Sequence, residues 1–250
     1  MNNKPVKRLT LLMVVVTHST LAWTSQNQTN SMLEAIGTIF CDGLIRGTAS
    51  HIQHDREDYS IVITAAHVLL DRKTRSAFRS CSYRASNARF QNFLISKIST
   101  PGKLLRGSDA LEGMSKDWVF AMLNQKLHAP KLRLRRYSQE SLPNTKKKLS
   151  LAMLVYDGKL GKIKSVENCR SMQSPHVEHP TLLLHNCAHG PGVSGAPLLN
   201  LQTLELIGVH GGQLIITHLP HFNIEGILGQ ARLIDDEVLD ELKRFSMSLP

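Results

Sequence analysis

His189-Gly190-Pro191-Gly192-Val193-Ser194-Gly195-Ala196-Pro197-Leu198 places a single hydroxyl between glycines, directly after a cysteine-bearing segment and before an apolar run. Glycines in such a place free the backbone to take up turns that other residues resist. With Gly at 192, the amides of Gly192 and Ser194 can face one concavity beside the Ser194 hydroxyl, the shape that holds a developing oxyanion next to a nucleophile. Read from its residues, the stretch is an acyl-transfer site. The same residues also suit an ordinary tight hairpin turn, and the stretch alone leaves both readings open.

Two further stretches bear on the choice. Ile61-Val62-Ile63-Thr64-Ala65-Ala66-His67-Val68-Leu69 is an apolar strand that runs into small residues and then a histidine, so an imidazole emerges where a buried strand ends. Asp117-Trp118-Val119-Phe120-Ala121-Met122-Leu123 opens on a carboxylate and continues as an apolar run suited to a core. A serine hydroxyl is a poor nucleophile at neutral pH and needs a base to take its proton; an imidazole is suited to that, and a carboxylate behind it fixes its tautomer. His67, Asp117 and Ser194 therefore form a candidate triad in the chain order His, Asp, Ser, one of several orders that reach the same geometry. Asp109 is the competing carboxylate, but only Asp117 is followed by an apolar strand able to hold it in place.

The blocks T-A-A-H (64–67), D-W-V-F-A-M-L (117–123) and G-V-S-G-A-P-L (192–198) resemble the three catalytic blocks of the chymotrypsin-like (trypsin-type) serine endopeptidases. Leu206-Ile207-Gly208-Val209-His210-Gly211-Gly212 is similar to the bacterial glutamyl endopeptidase branch, and the resemblance spans roughly residues 33 to 246. It implies an all-β fold of two six-stranded antiparallel β-barrels with a C-terminal α-helix, a triad in the crevice between the barrels, and peptide-bond hydrolysis through an acyl-enzyme. It also implies that Val209, His210 and Gly211 bind the substrate, with His210 where that branch carries the histidine that reads an acidic side chain before the cleaved bond. Val193 departs from the animal digestive enzymes, which carry an aspartate just before the serine to pair with a new N-terminal amine. A valine makes no such ion pair, so activation by that route is not expected.

The rest of the chain is consistent with this. Its 250 residues, 42 % hydrophobic and 20 % charged, can bury a sizeable core and do not fit disorder. Residues 1–22 read as a secretory signal, with Lys4, Lys7 and Arg8 as the basic region, Leu9 to Val16 as the apolar stretch and Thr20-Leu21-Ala22 as the cleavage site. Cleavage there removes three of the formal +10 charges, and an uncleaved anchor would need a longer apolar run. The address expected is secreted or periplasmic, with no membrane span after signal cleavage, and residues 23–32 form a polar leader. The four cysteines, Cys41, Cys81, Cys169 and Cys187, have no C-x-x-C spacing and suit disulfides in that compartment. Counting allows three pairings. Cys41 with Cys81 would bracket the histidine block, and Cys169 with Cys187 would tie the strand before the serine loop.

Short apolar runs separated by turns, with no long amphipathic stretch before the C-terminus, point to an all-β barrel or sandwich. The domains expected are an N-terminal barrel over 33–125 with the histidine and aspartate, a basic linker over 126–148, a C-terminal barrel over 149–233 with the serine, and a helix and tail over 234–250. Arg72 to Arg89 reads as a solvated loop carrying Cys81, and Leu204 to Val209 and Gln213 to Thr217 as two strands. Asp235-Asp236 before Val238, Leu239, Leu242 and Phe245, with Lys243-Arg244 near the end, is a helical stripe of the right polarity.

Other functional classes fit less well. The basic linker carries Lys131, Arg133, Arg135, Arg136 and Lys146-Lys147-Lys148 without interleaved aromatics, so a solvated face suits it better than a nucleic-acid surface. His176, His179, His185 and His189 crowd the serine loop, but no H-E-x-x-H is present, and neither a metal nor a cofactor is expected. Ala196 replaces the second glycine of G-x-S-x-G, and the acid and base lie upstream of the serine, which argues against an α/β-hydrolase. The partner expected is a protein or peptide substrate; nothing in the chain specifies its oligomeric state. The rival from another class is a catalytically silent relative that serves as a secreted binding protein.

Overall fold

Several strands of this chain are buried on both faces, and that fact organises the molecule. In the computed structural model, which describes residues 32–71, 74, 76–86, 91–100, 110–138, 149–157, 162–172, 179–187, 190–216 and 226–250, β3 (Ile61–Thr64) and β6 (Val119–Leu123) are buried along their whole length. Their side chains alternate between two cores. Ile61, Ile63, Phe120 and Met122 enter one apolar cluster, whereas Val62, Val119, Ala121 and Leu123 enter another. Period-two alternation still holds, but both sides are dry, so the sequence shows a continuous apolar run.

The second cluster fills a closed antiparallel barrel of order β1-β2-β3-β6-β5-β4, built with β1 (Ile36–Cys41), β2 (Leu44–His51), β4 (Cys81–Ala85) and β5 (Phe93–Ile98). A closed barrel of order β10-β11-β12-β9-β8-β7 follows, from β7 (Ser150–Asp157), β8 (Lys162–Met172), β9 (Leu182–His185), β10 (Pro197–Asn200), β11 (Leu206–Ile216) and β12 (Gly226–Leu233). Closure leaves neither sheet with an open edge. The first cluster lies between the barrels. It takes Ala152, Leu154, Leu199, Leu206 and Val209 from the second barrel and joins them to Trp118 and Phe120 of the first.

Besides the helical residues 32–34, the described residues include the helices α1 (Ala66–Leu69), α2 (Ala110–Ser115) and α3 (Asp236–Met247). The last begins as expected, with the Asp235 carboxylate accepting the Val238 N–H at 3.2 Å and Asp236 and Glu237 in the first turn. Its Val238, Leu242 and Phe245 close the inter-barrel core, and Phe245 stacks on Phe120 with ring centroids 6.5 Å apart. Among the described residues no helix is long and apolar enough to cross a membrane.

Both expected disulfides are present. Cys41 and Cys81 face each other across β1 and β4, and Cys169 of β8 joins Cys187 just after β9. Two elements differ from expectation. Cys81 does not sit in a solvated loop: Cys81–Ala85 is strand β4, whose pairing with β1 and wholly buried Tyr83 complete the first barrel. Leu204–Val209 and Gln213–Thr217 are not two strands. From Leu206 to Ile216 the chain is one strand, β11, with a bulge at Gly211 between His210 and Gly212. In the segment from 126 to 138, Leu127 and Leu132 are buried, Leu132 bridges Ile52, and Leu134 bridges Leu206, so the basic residues alternate with anchors in the core. The expected signal over 1–22, the leader to residue 31, Asp109, Lys146-Lys147-Lys148, His176, His189 and Thr217 lie outside the described residues.

Candidate active site

Pairing of β3 with β6 sets Thr64 opposite Val119, so the chain leaves the two strands at neighbouring points. His67, three residues past Thr64 on α1, and Asp117, two residues before Val119, are brought together by that register alone. His67 Nδ1 lies 2.6 Å from Asp117 Oδ2, and the His67 backbone N–H donates to Asp117 Oδ1 at 3.0 Å. Asp117 is only 6 % exposed, so both carboxylate oxygens are engaged away from bulk water. With Nδ1–H donating to the carboxylate, the neutral ring presents an unprotonated Nε2, the form a general base requires.

Ser194 comes from the second barrel on the turn from Gly190 to Ala196. Val193 N–H reaches Gly190 O at 3.4 Å, Ala196 N–H reaches Val193 O at 2.9 Å, and Gly192 and Gly195 have φ of 86° and 82°, conformations that favour glycine. The turn is pinned across the seam to β2: Thr48 N–H donates to Ser194 O and Thr48 Oγ1 to Gly192 O, both at 2.8 Å. Thr64 Oγ1, at the end of the histidine strand, donates to Thr48 O at 2.7 Å. A side chain at Gly195 would put its Cβ 2.1 Å from both Thr48 O and Thr64 Oγ1, so the barrels meet here backbone against backbone. Neither the Gly192 nor the Ser194 N–H donates to an acceptor among the described residues. No hydrogen bond joins Ser194 to His67, a contact that in such sites commonly tightens only around bound substrate.

His210 lies one strand away. Its N–H donates to Ala196 O at 2.9 Å and its carbonyl accepts from Gly195 N–H at 2.7 Å, which ties β11 to the serine turn. The ring is 2 % exposed, and its Nδ1 lies 3.1 Å from Nε2 of wholly buried His185. Because the Cys187 N–H donates to His185 Nδ1 at 3.2 Å, the hydrogen of neutral His185 sits on Nε2 and points at His210 Nδ1. Neutral His210 is therefore the Nε2–H tautomer. Gly229 makes room for the pair, since a Cβ there would come within 2.2 Å of His185 Cε1.

Sequence reasoning placed His185 among the loop histidines and missed its link to His210. The available signal was its position at the end of Leu182-Leu183-Leu184, where a buried strand runs out. Thr48 gave no signal, because its role exists only across the barrel seam. Burial holds His51, at the end of β2, neutral, lowering its pKa to about 4, with Nδ1–H donating to Pro130 O at 3.0 Å.

Solved structures similar to this chain in fold are distant in sequence. A Glu endopeptidase in complex with MPD aligns at TM-score 0.63 and 13 % identity, covering 86 % of this chain and 92 % of its own. Protease Anisep from Arthrobacter nicotinovorans aligns at TM-score 0.64 and 15 % identity over 87 % of this chain and 98 % of its own. A thermostable serine protease, AL20, from an extremophilic microorganism aligns at TM-score 0.64 and 13 % identity over 86 % and 98 %. The fold is the chymotrypsin-like one. No protein-family model matches the chain, and no curated protein matches it significantly by sequence.

Proposed function

We propose that this protein is an exported serine endopeptidase that cleaves peptide bonds through an acyl-enzyme, with Ser194 as nucleophile, His67 as general base and acid, and Asp117 as the group that orients His67. The observation that carries the reading is the doubly anchored pair of Asp117 and His67, at 2.6 Å and 3.0 Å, on the barrel against which the Ser194 turn is hydrogen-bonded. In the reaction Ser194 Oγ attacks the substrate carbonyl while His67 Nε2 takes its proton. The proton passes to the leaving amine, and water activated by the same imidazole then hydrolyses the ester. The Gly192 and Ser194 N–H groups stabilise the oxyanion, each such donor being worth on the order of 100- to 1000-fold in rate.

Substrate backbone would lie along β11 at Val209, His210 and Gly211, and the residue before the cleaved bond would be acidic. Support for that preference is the place of His210 on β11, tied by its backbone to Ala196 and Gly195 of the serine turn. The basic, apolar and small-residue segments of the first 22 residues support export, and the two disulfides agree with an oxidising compartment.

A fluorophosphonate reagent tests the nucleophile: the parent should be labelled and Ser194→Ala should be neither labelled nor active. Labelling that persists in Ser194→Ala rules out the assignment, and an unlabelled, folded parent favours the silent binding protein. Peptides that differ only in the residue before the cleaved bond test the preference, and equal rates for Glu and Ala would refute it.

A further inference from the structure

The acid of the proposed triad belongs to the first barrel, yet the groups that flank it come from the second. Lys116 and Trp118, on either side of Asp117, each have a polar partner from β12 or its continuation. Lys116 Nζ pairs with Glu237 at 2.7 Å, and the Arg232 guanidinium lies 6.0 Å from the Trp118 ring. Arg232 is 1 % exposed and is itself held by Asp235 at 3.0 Å and Glu237 at 2.9 Å. Gln230, two residues before Arg232, lies on the same face of β12.

The position of Gln230 is fixed by what Gly211 lacks. An ideal Cβ on Gly211 would lie 2.3 Å from Gln230 Nε2 and 3.3 Å from Asp117 Oδ2, so the amide nitrogen and the carboxylate oxygen flank the same vacant space. Gly211 is the bulged residue of β11, between His210, which pairs with Ala231, and Gly212, which pairs with Gln230. Gln230 is 2 % exposed, and its Oε1 has no hydrogen-bond partner among the described residues. A buried amide with an unsatisfied oxygen is costly compared with an apolar side chain of equal length. Across the same space the buried Asp117 carboxylate accepts hydrogen bonds from His67 alone among the described residues.

We infer that Gln230 is a positioning residue for Asp117: its side-chain NH2 is the further donor to Asp117 Oδ2 in the working enzyme, and Gly211 carries no side chain so that the amide can enter. This rests on the reading of Asp117 as the triad acid. A carboxylate has room for about four donors, and one that accepts a third is held more firmly in the orientation that fixes the His67 tautomer. The second barrel thus contributes to the acid as well as to the nucleophile, which couples the alignment of all three groups to the seam.

Gln230→Met keeps the length and burial of the side chain and removes the donor. Two readouts separate the inference from the endopeptidase reading. The His67 Nδ1 proton, shared with Asp117 Oδ2, gives a low-field proton NMR resonance that reports on the carboxylate whether or not the protein hydrolyses peptides. In Gln230→Met that resonance should move, and in steady-state assays kcat should fall about tenfold with KM within about twofold, the scale of one hydrogen bond to a charged group. The double variant Gly211→Ser with Gln230→Ala places a hydroxyl in the vacated space, and should return the resonance toward its parent position and recover most of kcat. A folded Gln230→Met whose resonance coincides with that of the parent overturns the inference. A parent that neither labels nor hydrolyses defeats the endopeptidase reading, while the resonance still decides the role of Gln230.

Discussion

Acid should destabilise this protein through His51 before its carboxylates titrate. The ring is wholly buried at the end of β2, Nδ1–H donates to Pro130 O, and Nε2 has no partner among the described residues, so a second proton would create a buried, unanswered cation beside Lys131. Burial therefore lowers its pKa from 6.5 to about 4. As pH falls through 6.5 the unfolded imidazole takes up a proton and the folded one does not; the unfolded state gains until about pH 4, below which both are protonated and nothing more is lost. The full effect is about 3 kcal/mol, of which about 2 kcal/mol falls between pH 7 and pH 5. Urea unfolding of the parent and of His51→Asn at the two pH values measures it. Asn keeps a donor near the position of Nδ1 and cannot titrate, and other groups that titrate in this range, His54 included, cancel in the comparison. The variant should be the less stable at pH 7, from lost ring volume, and the gap should close or reverse by pH 5. A stability difference between parent and variant that is the same at both pH values would show that the buried ring is not what makes the fold acid-sensitive.

Two other perturbations test the seam and the triad. Gly195→Ala forces a Cβ into Thr48 O and Thr64 Oγ1 and a side chain onto φ of 82°, so it should cost at least about 1 to 2 kcal/mol of stability and displace Ser194. Thermal unfolding together with labelling rate checks this, and an Ala variant that labels at the parent rate would contradict the tight seam. Asp117→Asn should leave folding nearly intact but lower kcat on the order of 10⁴-fold, because an amide can hold the wrong imidazole tautomer. A loss in peptide hydrolysis below about tenfold would remove Asp117 from the proposed mechanism.

The candidate triad could be read from the sequence because it is carried by short blocks whose composition is unusual for their place: a histidine at the end of an apolar strand, a carboxylate opening another, a serine among glycines. The helix at Asp236–Met247 was legible for a similar reason, since its cap, polarity and stripe are all local. Strand β4 was not, because Cys81–Ala85 earns its place by pairing with β1 and burying Tyr83, and its flanks are basic and polar. The link between His185 and His210 joins side chains 25 residues apart, and no spacing rule reaches that far.

The amino-acid order alone determined that the chain makes short strands, which residues could act as base, acid and nucleophile, and how the helix begins. Tertiary structure decided the partnerships. Ile61 and Val62 look alike in sequence, yet one faces the inter-barrel core and the other the barrel interior, because β3 has two dry sides. Thr48, Gln230 and Arg232 became meaningful only when closure of two barrels put them against the serine turn and the Asp117 segment. Propensity and pattern act within a few residues, whereas hydrogen bonds across a seam depend on where closed sheets meet.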